Sequence, residues 1–134
     1  MKTIEVVAAI VVHEGKVLCV QRGESKLDYI SKKFEFPGGK LEADETLEQA
    51  LTREMSEELK MFVTVERLFL TVEHSYPDFN LVMHSFICHT HSRELTLTEH
   101  LQALWLGIDE LDILDWAAAD IPIVERLREC TLWA

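Results

Sequence analysis

Glu54, Glu57 and Glu58 lie at i, i+3 and i+4 in a stretch patterned as a helix. At about 100° per residue, Ala50, Leu51, Met55 and Leu59 form the apolar side, with Gln49, Thr52, Arg53, Ser56 and Lys60 opposite. Glu54 and Glu58 project into the apolar sector, between Ala50 and Leu51, and Glu57 sits at its edge on the Ala50 side. Carboxylates this close repel one another, and partial burial of each is costly unless a cation compensates. An acidic helical run is ordinarily a solvated face; here the wheel argues against that, although salt bridges to Arg53 or a distant lysine remain an alternative. Mg²⁺ fits the pattern, because it takes oxygen ligands in octahedral geometry and keeps positions for water and for a substrate phosphate.

The elements that must position these acids follow from periodicity. Thr46 caps the helix, with Gln49 three residues later, and the helical pattern runs to about Leu59. Residues 4–13 and 16–22 are β-rich around a Glu14-Gly15 turn, which predicts a hairpin. A polar loop spans 23–33, Phe34-Glu35-Phe36 alternates briefly, and Pro37-Gly38-Gly39 predicts irregular backbone. Long β-like segments cover 62–75 and 79–91, a short one covers 101–106, and residues 121–130 read as a second helix. Strands on both sides of a central helix, with another helix at the end, predict an α+β fold with helices packed on a mixed sheet.

A chain of 134 residues, 48% hydrophobic and 28% charged, predicts one globular domain over 1–134 with no disordered segment. The net charge of −11 argues against polymeric nucleic acid as partner, and it disfavours even a small polyphosphate unless divalent cations bridge to it. No apolar run is long enough for a bilayer and no cleavable signal is visible, so a cytoplasmic protein without a membrane partner is expected. Cys19, Cys88 and Cys130 have no metal or redox spacing and read as reduced, mostly buried thiols. His89 and His91 alternate on one strand face but lack a third ligand for zinc.

Gly39, Glu45, Arg53, Glu54, Met55, Glu57, Glu58 and Met61 carry a resemblance to the Nudix box, and residues 34–40, Phe-Glu-Phe-Pro-Gly-Gly-Lys, resemble the strand and loop of MutT-type members. The resemblance covers nearly the whole chain. It implies an αβα sandwich and a pyrophosphohydrolase using Mg²⁺, or Mn²⁺, bound by Glu54, Glu57 and Glu58 with the backbone carbonyl of Gly38 or Gly39. Arg53 and Glu45 would support the catalytic helix. Lys60 departs from the pattern, which has a helix-ending glycine there.

In MutT-like enzymes a further acid lies six residues before a tryptophan, and Glu99 lies six before Trp105. The resemblance therefore makes Glu99 an extra metal ligand, although by itself it reads as an exposed loop residue. Either Glu54 or Glu99 could be the general base. Arg22 is similar to an arginine that contacts phosphate; otherwise it is an exposed charge at a strand end. Asp120 aligns with a base-reading asparagine; ionised, it accepts hydrogen bonds only and so favours an exocyclic amine such as that of cytosine. It could equally cap the final helix. Phe36 and Tyr76 are candidates to stack on the base, though core positions are the commoner use of such rings.

The run Ala119-Asp120-Ile121-Pro122, with Glu99-His100 and Ala103-Leu104-Trp105, resembles the CTP pyrophosphohydrolase subgroup. The expected reaction is hydrolysis of CTP, dCTP or a modified pyrimidine nucleotide to the monophosphate and pyrophosphate. Oxidised purine triphosphates and other nucleoside diphosphate-linked compounds are alternatives. A nucleotide-sensing module without turnover is disfavoured by the intact acids. A monomer or a homodimer is expected.

Overall fold

The computed structural model describes residues 1–130. β1 (Thr3–His13) and β2 (Lys16–Gln21) form the expected hairpin, turned by Glu14 and Gly15 with φ of 48° and 77°. Two positive φ values in a two-residue turn match the twist of the flanking strands. β3 (Phe34–Glu35) and β4 (Gly38–Lys40) follow, then α1 (Leu47–Leu59), β5 (Thr64–Ser75), β6 (Asn80–His89) and β7 (Gln102–Leu106). Short 3₁₀ turns at Ile108–Ile113 and Ala118–Asp120 lead into α2 (Ile121–Glu129).

The sheet is mixed, in the order β3-β2-β1-β6-β5, with β4 also on β1 and β7 also on β2. β1 runs parallel to β6 over ten residue pairs, from Thr3↔Asn80 to Val12↔His89. Its other edge is divided: β2 pairs near His13, and β4 pairs with Val6, Val7 and Ala8. The sheet therefore forks beside β1. The strand β4 corrects the expectation of irregular backbone at residues 37–39. Pairing is possible because Gly38 lacks a side chain; a Cβ there would lie 1.9 Å from the Val7 carbonyl oxygen.

Alternation along β1 builds two cores. Ala8, Ile10 and Val12 face Leu111, Ile123, Val124 and Leu127 on the α2 side. Val7, Ala9 and Val11 face Ala50, Leu51, Met55 and Leu59 on the α1 side. A strand buried on both faces reads as a continuous apolar run, as residues 6–12 do. The result is the expected α+β, αβα arrangement.

Thr46 caps α1 in a full capping box with Gln49. At the other end Lys60 adopts the left-handed conformation, φ 54°, and its N–H reaches the carbonyls of Met55 and Ser56. Lysine thus takes the left-handed helix-ending position where the pattern has glycine. Asp120 does not cap α2: no side-chain cap bond is made there, and Pro122 occupies the first turn, where a missing N–H costs little. Burial pushes the Cys19 and Cys88 thiols up to about 12, so both are inert packing groups. His89 meets Glu66 through Nε2.

Candidate active site

α1 turns Glu54 and Glu58 beneath itself. Their side chains are 13% and 17% exposed, against 60% for Glu57, so the first two do not form a solvated face. Gly39 of β4 packs against Glu54; a Cβ there would come within 2.4 Å of its Oε2.

Arg53 organises this end. Its Nε and Nη2 donate to the two oxygens of Glu45 at 2.7 and 3.0 Å, and Nη2 also donates to the Lys40 carbonyl at 3.0 Å. Nη1 donates to Glu54 at 2.8 Å and to Glu57 at 3.2 Å. The wheel placed Arg53 on the far side of the helix, but a long side chain can curl back, and here it ties the loop before α1 to two of the acids. These bonds hold the Glu45 carboxyl below its usual range and raise the guanidinium further.

A second loop delivers Glu99. Thr96 N–H donates to the Leu59 carbonyl at 2.8 Å and the Thr98 hydroxyl donates to the Glu58 carbonyl at 2.6 Å, satisfying carbonyls that the end of α1 leaves free. Leu101 N–H then donates to the Gln21 carbonyl at 2.9 Å, fastening the loop to the end of β2.

Sequence reasoning did not single out Glu35, and His100 entered it only within the Glu99-His100 pair of the subgroup resemblance, with no role of its own. His100 Nε2 lies 3.4 Å from Glu35 Oε2 and 3.9 Å from Glu58 Oε2. Arg22 Nη1 donates to Glu35 Oε1 at 3.3 Å. A signal existed for Glu35: alternation in Phe34-Glu35-Phe36 sets it on the opposite side from two apolar rings. Burial, a hydrogen bond with Glu54 and the charges of Glu54, Glu99 and Glu35 push the Glu58 carboxyl up to about 8.

Glu54, Glu57 and Glu58 of α1, with Glu99, His100, Glu35 and Arg22, open on one cavity of about 730 Å³. Gly39, Phe36, Tyr76 and Asp120 line it together with them. Arg53 and Glu45 are not among the lining residues. Asp120 is buried, and its Oδ1 accepts the Phe36 N–H at 3.0 Å. Burial and the charge of Glu35 push its carboxyl well up. Tyr76 stacks on Tyr29, and its hydroxyl accepts the Ala119 N–H at 3.0 Å. Phe36 stacks on Trp116 with centroids 4.7 Å apart. Each of these two rings therefore has a core partner as well as a place at the cavity.

Among the described residues, no three acidic, histidine or cysteine side chains stand close enough to form a coordination shell as they lie. Glu54 is turned toward Arg53, and Glu58 lies beside Glu54. The donor set nonetheless suits a hard divalent cation: it is all carboxylate oxygen, crowded and partly buried, and burial with the neighbouring acids raises the Glu58 carboxyl. Gly39 leaves room for the Glu54 carboxyl that any side chain would displace.

The NUDIX domain family matches residues 1–127. The chain belongs to the Nudix family. Over 125 residues it is 36% identical to a CTP pyrophosphohydrolase of Escherichia coli K12, covering 93% of this chain and 91% of that protein. An 8-oxo-dGTP diphosphatase of the same organism is 27% identical over 128 residues, covering 96% and 98%. The solution structure of a MutT protein from methicillin-resistant Staphylococcus aureus 252, described as a Nudix hydrolase, superposes with a TM-score of 0.74 at 41% identity, covering 96% of this chain and 98% of that one. This Nudix chain is a pyrophosphohydrolase, and Nudix hydrolases generally use divalent metal ions and act on nucleotides. Among the described residues no helix of this Nudix domain is long and apolar enough to cross a membrane.

Proposed function

We propose that this pyrophosphohydrolase cleaves a nucleoside triphosphate to the monophosphate and pyrophosphate, with CTP, dCTP or a modified pyrimidine nucleotide preferred and Mg²⁺ as the ion. The observation that carries the reading is one cavity lined both by the carboxylate cluster and by the buried, hydrogen-bonded Asp120. The triphosphate lies on the acids and Arg22, and the base reaches Asp120.

When bound, divalent ions would neutralise phosphate oxygens and ease deprotonation of water. Glu54, Glu57, Glu58 and Glu99, with the Gly39 carbonyl, would hold them. Glu54 or Glu99 takes the proton of the attacking water. Glu54 lines the cavity, with Oε1 engaged by Arg53. Glu99 lines the same space from the opposite loop. The water attacks phosphorus in line, so no covalent enzyme intermediate is needed.

For the base, Oδ1 of Asp120 is taken by the Phe36 N–H, which leaves Oδ2 for the substrate. Burial and Glu35 favour the protonated acid, and an exocyclic amine such as cytosine N4, donating to Oδ2, would favour the ionised form that accepts. The higher identity to the CTP pyrophosphohydrolase than to the 8-oxo-dGTP diphosphatase of the same organism supports the same choice. The second reading, an oxidised purine triphosphate, draws on the latter relative, whose match spans 98% of its length.

The test is a panel of nucleoside triphosphates, oxidised purines included, scored for pyrophosphate against phosphate release. CTP or dCTP ranking first, with the ranking altered in Asp120→Asn, is the expected result. A purine ranking first, or an unchanged ranking in the variant, would reject the cytosine assignment.

A further inference from the structure

The contact between His100 and Glu35 crosses the cavity wall from the Glu99 loop to β3, and nothing in the hydrolytic chemistry above uses it. The His100 side chain is only 6% exposed, among the most enclosed polar groups of the site. Its backbone is fastened on both sides, by Thr98 on α1 and by Leu101 on β2, so the ring has little freedom to move. Nδ1 is buried and has no hydrogen-bond partner among the described residues. Nε2 is therefore the ring nitrogen that meets the carboxylates. Nε2 lies nearest Glu35 Oε2 at 3.4 Å, and the other oxygen of Glu35 accepts from Arg22.

We propose that His100 is a positioning residue: its Nε2–H steadies Glu35, and Glu35 in turn holds the Arg22 guanidinium in one orientation at the cavity wall, ready for the substrate's phosphates. The inference rests on the reading above in taking Arg22 as a phosphate contact. Arg22 lies just past the end of β2, its side chain is 48% exposed, and Glu35 is the carboxylate it bonds. Left alone, such a side chain samples many rotamers and must be ordered at each binding event. Glu35 itself accepts that single bond from Arg22 and meets His100 with its second oxygen. Removing the His100 N–H frees Glu35, and the ordering of Arg22 is lost with it. Simple core packing by the imidazole, the competing account, predicts a loss independent of Arg22.

Calorimetric binding of a non-cleavable CTP analogue, and separately of tripolyphosphate, with Mg²⁺ present, separates the two accounts. The proteins are wild type, His100→Gln, His100→Phe, Arg22→Ala and Arg22→Ala combined with His100→Phe, each checked for an unchanged thermal midpoint. His100→Phe is expected to weaken binding roughly two- to tenfold, the range for ordering one long side chain. His100→Gln, which keeps a donor, is expected to stay close to wild type. In the Arg22→Ala background the phenylalanine should cost nothing more, the non-additivity of coupled residues. An equal loss with and without Arg22, equal losses in the glutamine and phenylalanine variants, or no loss at all would each overturn the proposal. If tripolyphosphate binds and shows the coupling while the CTP analogue gains nothing from its nucleoside, the nucleotide reading falls and the positioning role stands. If wild type binds neither ligand, both fall.

Discussion

The carboxyl of Glu54 rests directly on Gly39, at a separation that leaves no space for even a methyl group: a Cβ on Gly39 would lie 2.4 Å from Oε2. β4 and the helix that follows it in the chain thus meet at an acid that the proposed chemistry needs. In Gly39→Ala the carboxyl must move. Misplacement of a reacting group by about 1 Å costs on the order of 10²-fold in rate, so kcat is expected to fall by that order while circular dichroism stays near wild type. An alanine variant with wild-type turnover would show that the close approach has no functional weight.

Glu54→Gln and Glu58→Gln remove charge with little change in volume. Each is expected to lower turnover by about 10²-fold or more, the scale of losing a proton acceptor or a metal ligand. Folding should survive, since neither carboxylate supports the core clusters on the two faces of the sheet. Chelation of divalent ions should abolish turnover and added Mg²⁺ should restore it. Steady-state kinetics in both variants, with and without chelator, checks the pair; retained activity in either would remove that acid from the site.

Glu58 also shapes stability. Its carboxyl is held at about 8 in the folded chain, chiefly by burial and then by Glu54, against an ordinary value of 4.5. Between those two values the folded state keeps a proton that the unfolded state has lost. Stability without metal is therefore expected to fall as pH rises through that window, with the full loss present above it and none below. Glu58→Gln should flatten this part of the profile, and Mg²⁺, which favours the ionised acids, should raise the thermal midpoint most at the alkaline end. Thermal denaturation from pH 4 to 9, with chelator and with Mg²⁺, reads both effects; a metal-free profile identical in wild type and Glu58→Gln would refute the assignment.

Lys60 closes α1 in a left-handed conformation that costs a residue with a Cβ roughly 1–2 kcal/mol. Glycine's greater freedom in the unfolded chain cancels about 0.5–1 kcal/mol of the gain from replacing it. Lys60→Gly should therefore stabilise by about 0.5–1 kcal/mol, a rise of a few degrees in Tm. Because Lys60 N–H bonds the Met55 and Ser56 carbonyls in the present geometry, activity should change little. A lower midpoint in the glycine variant would mean that the lysine side chain contributes more than the backbone strain removes.

Much of this site is written in short-range pattern. The spacing of Glu54, Glu57 and Glu58 on a capped helix is a local property, because helical geometry alone sets which side chains share a face. The run from Val6 to Val12 likewise announced a strand buried on both sides, and Glu14-Gly15 announced its hairpin. Strand ends were less legible: β5 starts at Thr64 and β6 ends at His89, inside the apolar runs that suggested them. Ends depend on where partners stop pairing, and hydropathy does not record that.

What the sequence determined by itself was the helix with its acids, the alternation of the strands and the charge that calls for a cation, since each follows from periodicity or composition. Tertiary structure decided that Arg53 curls back to Glu45 and Glu54, that residues 38–40 pair with β1, that Asp120 binds the Phe36 N–H instead of capping α2, and that Glu35 and His100 meet. These depend on contacts between segments distant in the chain. Their geometry exists only once the sheet has forked and both loops have docked on α1 and β2.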